Sequence, residues 1–157
     1  MITIASARLD SDKQIIPFHP QHLHSIELKQ FELEYLEAFP DYFEYVAANY
    51  DPHRSWTGIV RGKIVCIFGI TELWPRVAEA WMIPSVRIKD SPIAVVRAAK
   101  KIIAESASEM GLNRLQICVR IDNVIAYRFA RGLGFKVECE MKEYGPEGAD
   151  YYLMSRR

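Results

Sequence analysis

Apolar positions change period several times along the chain, and each change marks an element. An apolar run at 15–18 predicts a short strand. From 20–36 the residues Leu23, Ile26, Leu28 and Phe31 suit a helix; Pro40 interrupts, and 41–49 reads as a second helix rich in aromatics. Segments 55–60 and 63–71 predict a strand pair joined across Arg61 and Gly62, and 77–83 is the next strand. Ser91 and Pro92 make a helix start, after which Ile93, Val96, Ala99, Ile103, Ala107 and Met110 recur at three- and four-residue steps as far as Gly111, a face for packing on a sheet. Leu115, Ile117 and Val119 then alternate with Gln116, Cys118 and Arg120 at strand period. Asp122 and Asn123 offer side-chain oxygens to cap a helix that Gly134 stops, and Phe135 opens a strand over 136–143. A GPEG turn at 145–148 leads to a closing strand at 150–154.

No internal repeat, low-complexity tract or linker interrupts this order, so one domain is expected over 1–157, with residues 1–12 as an additional edge strand or arm. Half the residues are hydrophobic and a quarter charged, an ordinary globular balance. Twenty basic residues match twenty acidic ones, so no overall field draws the chain to nucleic acid or an anionic membrane, and Arg114, Arg120, Arg128 and Arg131 read as solvated faces. No apolar run reaches the length of a membrane span, and the start MITIASARLDSDK lacks a basic region followed by a long apolar stretch. A cytoplasmic location is the expectation. Cys66, Cys118 and Cys139 sit in strand-like runs without zinc or redox spacing, which predicts buried structural thiols. His19, His22 and His24 lack a nearby fourth ligand, so a solvated helix start is expected there and no metal. A serine-hydrolase elbow, a Walker loop and a dinucleotide fingerprint are absent.

The run VRIDNVIAYRFARGLGF places Ala126 three residues after Asn123, and Gly134 and Phe135 eleven and twelve after it. This resembles the fourth-helix motif of the GNAT superfamily of acyl-CoA N-acyltransferases, and the element order over roughly 15–154 is similar to that family throughout. The resemblance implies an α/β (α+β) fold: a mixed, mostly antiparallel twisted sheet of six to seven strands with about four flanking helices. It implies acetyl-CoA as cosubstrate and an amine acceptor, either a small molecule or a protein, and a homodimer is compatible with it. The segments AEAWMIPS, SPIAVVRAAK, IDNVIAYRFARGLGF and EGADYYLM look more specifically like GNAT-like proteins of tailed bacteriophages and prophages, a branch that includes virion-associated proteins.

Acyl transfer to an amine needs a proton acceptor, because an alkyl amine is mostly protonated at pH 7, and it needs donors for the developing oxyanion. By the resemblance, Glu79 in VAEAWMI holds the base position, with Glu72 in reserve. The main chain of Trp81, Met82 and Ile83 would contact the pantetheine arm, and the Met82 amide would face the thioester oxygen. Strand period puts Glu79 and Trp81 on one face and Ala78, Ala80 and Met82 on the other, so a solvent-facing Glu79 is the competing reading. Phe39, Tyr42, Phe43, Tyr45 and Tyr50 fall where the family forms an acceptor wall, although an amphipathic helix core explains them as well.

Two positions depart from the family pattern. The segment SVRIKDSPIAVVR stands where the family has a glycine-rich pyrophosphate turn, and it contains no glycine. Free amides at the Ser91 helix start, with Arg87 and Lys89, are left to bind the phosphates, while Pro92 has no amide and Asp90 repels. Seven residues after Asn123, where many members carry a Tyr acid, stands Ala130. Tyr127, one helical turn earlier, and Tyr144 are the remaining candidate acids. The leading expectation is therefore an acetyl-CoA-dependent N-acetyltransferase, and its alternative is a non-catalytic GNAT-fold phage structural or binding protein.

Overall fold

Eight strands form a single sheet in the order β1-β2-β3-β4-β5-β6-β8-β7 among the described residues of a computed structural model, which are 7–10, 12–90 and 92–157. They are β1 Ala7–Asp10, β2 Lys13–Pro17, β3 Ser55–Val60, β4 Lys63–Trp74, β5 Val77–Pro84, β6 Arg114–Arg120, β7 Lys136–Met141 and β8 Tyr151–Arg156. The helices are α1 Gln30–Ala38, α2 Tyr42–Asn49, α3 Pro92–Glu109 and α4 Val124–Gly132. Only β5 and β6 run parallel; every other pairing is antiparallel. The expected mixed, mostly antiparallel sheet with four helices is present, and the strand beyond the expected six to seven is the short edge strand β1.

The β3–β4 link is tight because Arg61 and Gly62 both take positive φ, 49° and 75°, as a two-residue hairpin with matching twist requires. At the other end of the sheet, Asn123 caps α4 by accepting the Ala126 amide at 3.2 Å. The helix stops in a Schellman arrangement. Phe135 N–H reaches Ala130 C=O at 3.1 Å and Gly134 N–H reaches Arg131 C=O at 3.0 Å, with Gly134 at φ 94°. Phe135 and Ala130 then meet in the core, at 1% and 2% exposure.

The first predicted helix is present only in its second half, as α1. In place of a helix over 20–36, a short 3-10 helix Pro20–His24 precedes a break before α1. In that break Leu28 bridges Ser85, and Glu27 C=O accepts the Val86 amide at 2.9 Å, so tertiary pairing with the end of β5 takes the backbone groups a helix would have used. The buried face of α3 is also rotated from the expected one. Val95, Ala98, Ala99, Ile102, Ile103 and Ser106 are buried, whereas Ile93 is 69% exposed. The helix lies across two adjacent clusters, Ala99 and Ile103 joining one and Val95, Ala98 and Ile102 the other, which centres its apolar arc between them.

Both faces of the sheet are covered. Cores built on α3 and α4 pack against Phe68, Ile70, Ala78, Leu115 and Val119. On the opposite face, Phe18, Leu23, Val46, Ile67 and Ile83 form a core with α2 and the 3-10 helix. Helix α1 has no buried residue and rests over the sheet by its half-buried side.

Candidate active site

The parallel pair β5/β6 is joined only at its start. Val77, Ala78 and Glu79 pair with Arg114, Leu115 and Gln116, and no pairing follows. Yet β5 stays bonded to β4 as far as Pro84, and β6 to β8 as far as Arg120. The two strands therefore splay, and the β6-facing edge of 80–84 carries main-chain N–H and C=O groups that the sheet leaves unused. Helices α3 and α4 are both crossovers leaving the C-terminal ends of these strands, so their N-termini stand at the open end of the gap.

A cleft of about 330 Å³ occupies the splay. Its lining includes Ala99, Ile103, Ala126 and Phe129 from α3 and α4, and Glu32, Tyr35, Tyr42 and Phe43 from α1 and α2, so it is walled from both faces of the sheet. Trp81 forms part of this wall and lies over Gly69, where an added Cβ would sit 2.7 Å from the indole. Phe18 meets the Trp81 ring edge-on at 6.1 Å, which fixes its orientation.

Glu79 lines the cleft, half-buried, and its Oε2 accepts from Gln116 Nε2 at 2.9 Å. Trp81, Met82, Ile83 and Asn123 line it too, as does the exposed Tyr144. The Cys118 Sγ and the Tyr144 hydroxyl share a hydrogen bond at 3.7 Å; with the phenol O–H donating to sulfur, this contact first, and burial second, raise the Tyr144 pKa. Among the aromatics of α2, Tyr42 and Phe43 face the cleft, whereas Tyr45 is exposed.

Several expected site residues are not gathered here. Tyr127 packs its ring on Tyr152 at 5.5 Å, and its hydroxyl accepts from Arg131 at 3.4 Å, outside the cleft lining. Glu72 is exposed on β4 opposite Ala78, away from the cleft. Arg87 donates to Glu27 at 3.4 Å from the 3-10 helix Val86–Asp90; neither it nor Lys89 lines the cleft. Ser91 lies outside the described residues. His19 Nδ1 accepts the Gln21 amide at 3.2 Å, and His22 Nδ1 lies 2.8 Å from Thr57 Oγ1, its pKa lowered by burial and then by His19. Among the described residues no three metal-ligating side chains of the His, Cys, Asp and Glu types gather.

The thiols differ from expectation: Cys66 alone is fully buried, Cys118 lines the cleft, and Cys139 is exposed on the edge strand β7. Alternation explains the difference, because Cys118 points to the splay while its neighbours Ile117 and Val119 enter the core. Burial pushes the Cys118 thiol up to about 11. It is therefore a thiol at pH 7, and its thiolate fraction grows about tenfold per pH unit until pH nears that value. Peptide mapping after iodoacetamide treatment should find Cys139 alkylated first and Cys118 modified only as pH rises. Rapid Cys118 alkylation at pH 7 would contradict this.

Sequence reasoning missed Gln116, Glu32 and Tyr35. Gln116 meets Glu79 through the parallel register, a long-range pairing with no local signal. Glu32 and Tyr35, three apart on α1, share a helix face, and that spacing was the available clue.

No protein-family model and no curated protein matches the sequence. Solved structures do. A "probable acetyltransferase" is 17% identical, with 96% of each chain covered and a TM-score of 0.71. A GNAT-family acetyltransferase from Bacillus anthracis is 15% identical, covering 93% of this chain and 95% of that one, with a TM-score of 0.67. A ribosomal alpha-N-protein acetyltransferase, RimL, in complex with coenzyme A is 13% identical, covering 96% and 97%, with a TM-score of 0.69. The chain has the fold of the GNAT acetyltransferases. At these identities the likeness establishes that fold, and chemistry has to be argued from the cleft.

Proposed function

We propose that the protein is an acetyl-CoA-dependent N-acetyltransferase acting on a primary amine. The observation that carries this reading is the splay beyond Glu79 and Gln116, which sets an ionisable carboxylate beside an unused main-chain edge in a cleft walled by both layers. The pantetheine arm of acetyl-CoA fits that edge, because its amides can take up the unpaired N–H and C=O groups of 80–84 as an added strand would.

Glu79 takes the proton of the substrate ammonium, directly or through one water, and frees the nitrogen lone pair. Nitrogen then attacks the thioester carbonyl carbon. The Met82 main-chain amide is assigned to the developing oxyanion. As the C–N bond completes and the C–S bond breaks, the thiolate leaves and the second ammonium proton passes to solvent. Tyr144 assists this departure. With its pKa raised, it is less acidic than an ordinary thiol, so it offers the thiolate a hydrogen bond more readily than a proton.

The diphosphate end of CoA fits less well. Pro92 has no amide, Asp90 is anionic, Ile93 is exposed and Arg87 is engaged by Glu27. Titration calorimetry should therefore show acetyl-CoA binding, with S-acetylpantetheine within about tenfold of it, a difference below about 1.4 kcal/mol. A 100-fold preference for acetyl-CoA would reveal a diphosphate site. No binding at millimolar acetyl-CoA would overturn the enzyme reading in favour of a non-catalytic GNAT-fold binding or structural protein, the reading that Ala130 and the glycine-free turn favour.

A further inference from the structure

The α1 side of the cleft holds a carboxylate oxygen that the fold itself leaves without a donor. Glu32 lines the cleft, and its Oε2 is buried without a hydrogen-bond partner. Glu147, on the turn before β8, stands behind this wall and is engaged by the hydroxyl of Tyr151, which itself lines the cleft. A buried acceptor without a donor costs about 1–3 kcal/mol, more when charged, so a fold that keeps such groups beside a cleft is suited to a ligand that supplies donors. Burial raises the Glu32 pKa, and a backbone hydrogen bond and the charge of Lys29 offset this only in part. The Tyr35 phenol is raised too, by burial first and then by Glu147, which marks the same negative surroundings on this wall.

The cations nearby answer the charge of Glu32 only in part. Arg120 is held by Glu34 at 2.6 Å and Asp122 at 2.7 Å, and its guanidinium sits 4.9 Å from the Phe31 ring centroid. Lys29, three residues before Glu32, lines the cleft and acts on Glu32 by its charge, against the larger effect of burial. Around these charges stand aromatic walls, Tyr35, Tyr42, Phe43 and Trp81. Carboxylates interleaved with aromatic faces attract compact cations by charge and by the ring quadrupole. An acceptor bearing a carboxylate of its own would meet Glu32 and Glu79, with Lys29 and the already paired Arg120 to favour it.

We propose that the acceptor is an amine carrying a second positive charge, its reacting nitrogen at Glu79 and its second cation held at the α1 wall by Glu32. The position of the reacting nitrogen rests on the acyl-transfer reading above; the cation site does not. A linear alkyl diamine is the simplest member of this class.

The test uses the full chain with 1,5-diaminopentane, pentylamine and 6-aminohexanoate, which share a chain and differ in the distal group. Calorimetric titration should show the diamine binding at least about tenfold more tightly than pentylamine, with 6-aminohexanoate weakest. With acetyl-CoA present, kcat/KM should follow the same order. Glu32→Gln should shrink the diamine-to-pentylamine ratio by about tenfold. Equal binding of the three amines, a preference for the carboxylate, or an undiminished ratio in Glu32→Gln overturns the inference. Diamine binding without acetyl transfer overturns the enzyme reading and leaves the cation site standing. Acetyl transfer that ignores the distal charge does the reverse. The wild-type series alone decides the matter if the variant does not fold.

Discussion

Glu79→Gln should lower kcat for amine acetylation by at least about 100-fold, the lower end of what a positioned general base contributes. The substitution is nearly isosteric, and a Gln carbonyl can still accept from Gln116 Nε2, which reaches Glu79 at 2.9 Å, so the cleft wall should keep its shape. What is lost is the capacity to take a proton. KM for acetyl-CoA should change little, because the side chain does not belong to the main-chain edge assigned to the pantetheine arm. A second signature separates this role from a structural one. As pH approaches the intrinsic pKa of an alkyl amine, about 10.4, the acceptor supplies its own neutral form and the gap between wild type and variant should narrow. Steady-state kinetics across pH measure both effects. Unchanged turnover, or a deficit that stays constant with pH, would remove Glu79 from the proposed mechanism.

Phe135→Ala should cost about 3–5 kcal/mol of stability, the range for truncating a buried phenylalanine. Phe135 is 1% exposed and packs in the cluster that joins Leu115 and Val119 of β6 to Ala99 and Ile103 of α3, Ala130 of α4 and Leu133 just after it. Truncation would open a cavity where three elements meet, and neighbours bound in the sheet have little freedom to fill it. The carbonyl end of α4 would also lose the apolar contact that accompanies its glycine stop. Urea unfolding should show a lower midpoint with an unchanged slope. A loss below about 1 kcal/mol would mean that this site collapses easily.

These two predictions fall on residues of contrasting legibility. Phe135 belongs to a run whose capping Asn123, small Ala126 and Ala130, and stopping Gly134 are local signals, each read from one or two neighbours along the chain. The structure realises them as a capped helix and a Schellman stop. Glu79 could be placed on a strand by its period, but whether it faced solvent or a cleft depended on what stood beside that strand. Gln116, α1 and the splay decide that it lines a cleft. The helix expected over 20–36 formed only from Gln30 for a related reason: its apolar spacing was helical, but the pairing of Glu27 and Leu28 with the end of β5 competed for the same backbone groups.

From the sequence alone came the strand and helix order, the capped and glycine-stopped α4, the hairpin at Arg61 and Gly62, and the face of β5 that carries Glu79 with Trp81. These depend on period, caps and turn residues, whose physics acts over a few neighbouring positions. Tertiary structure alone decided where β5 and β6 part, that Tyr144 enters the cleft while Tyr127 does not, that Cys118 lines it, and that one carboxylate oxygen of Glu32 is buried there without a hydrogen-bond partner. Each of these joins residues far apart in the chain, through register and packing that no local pattern encodes.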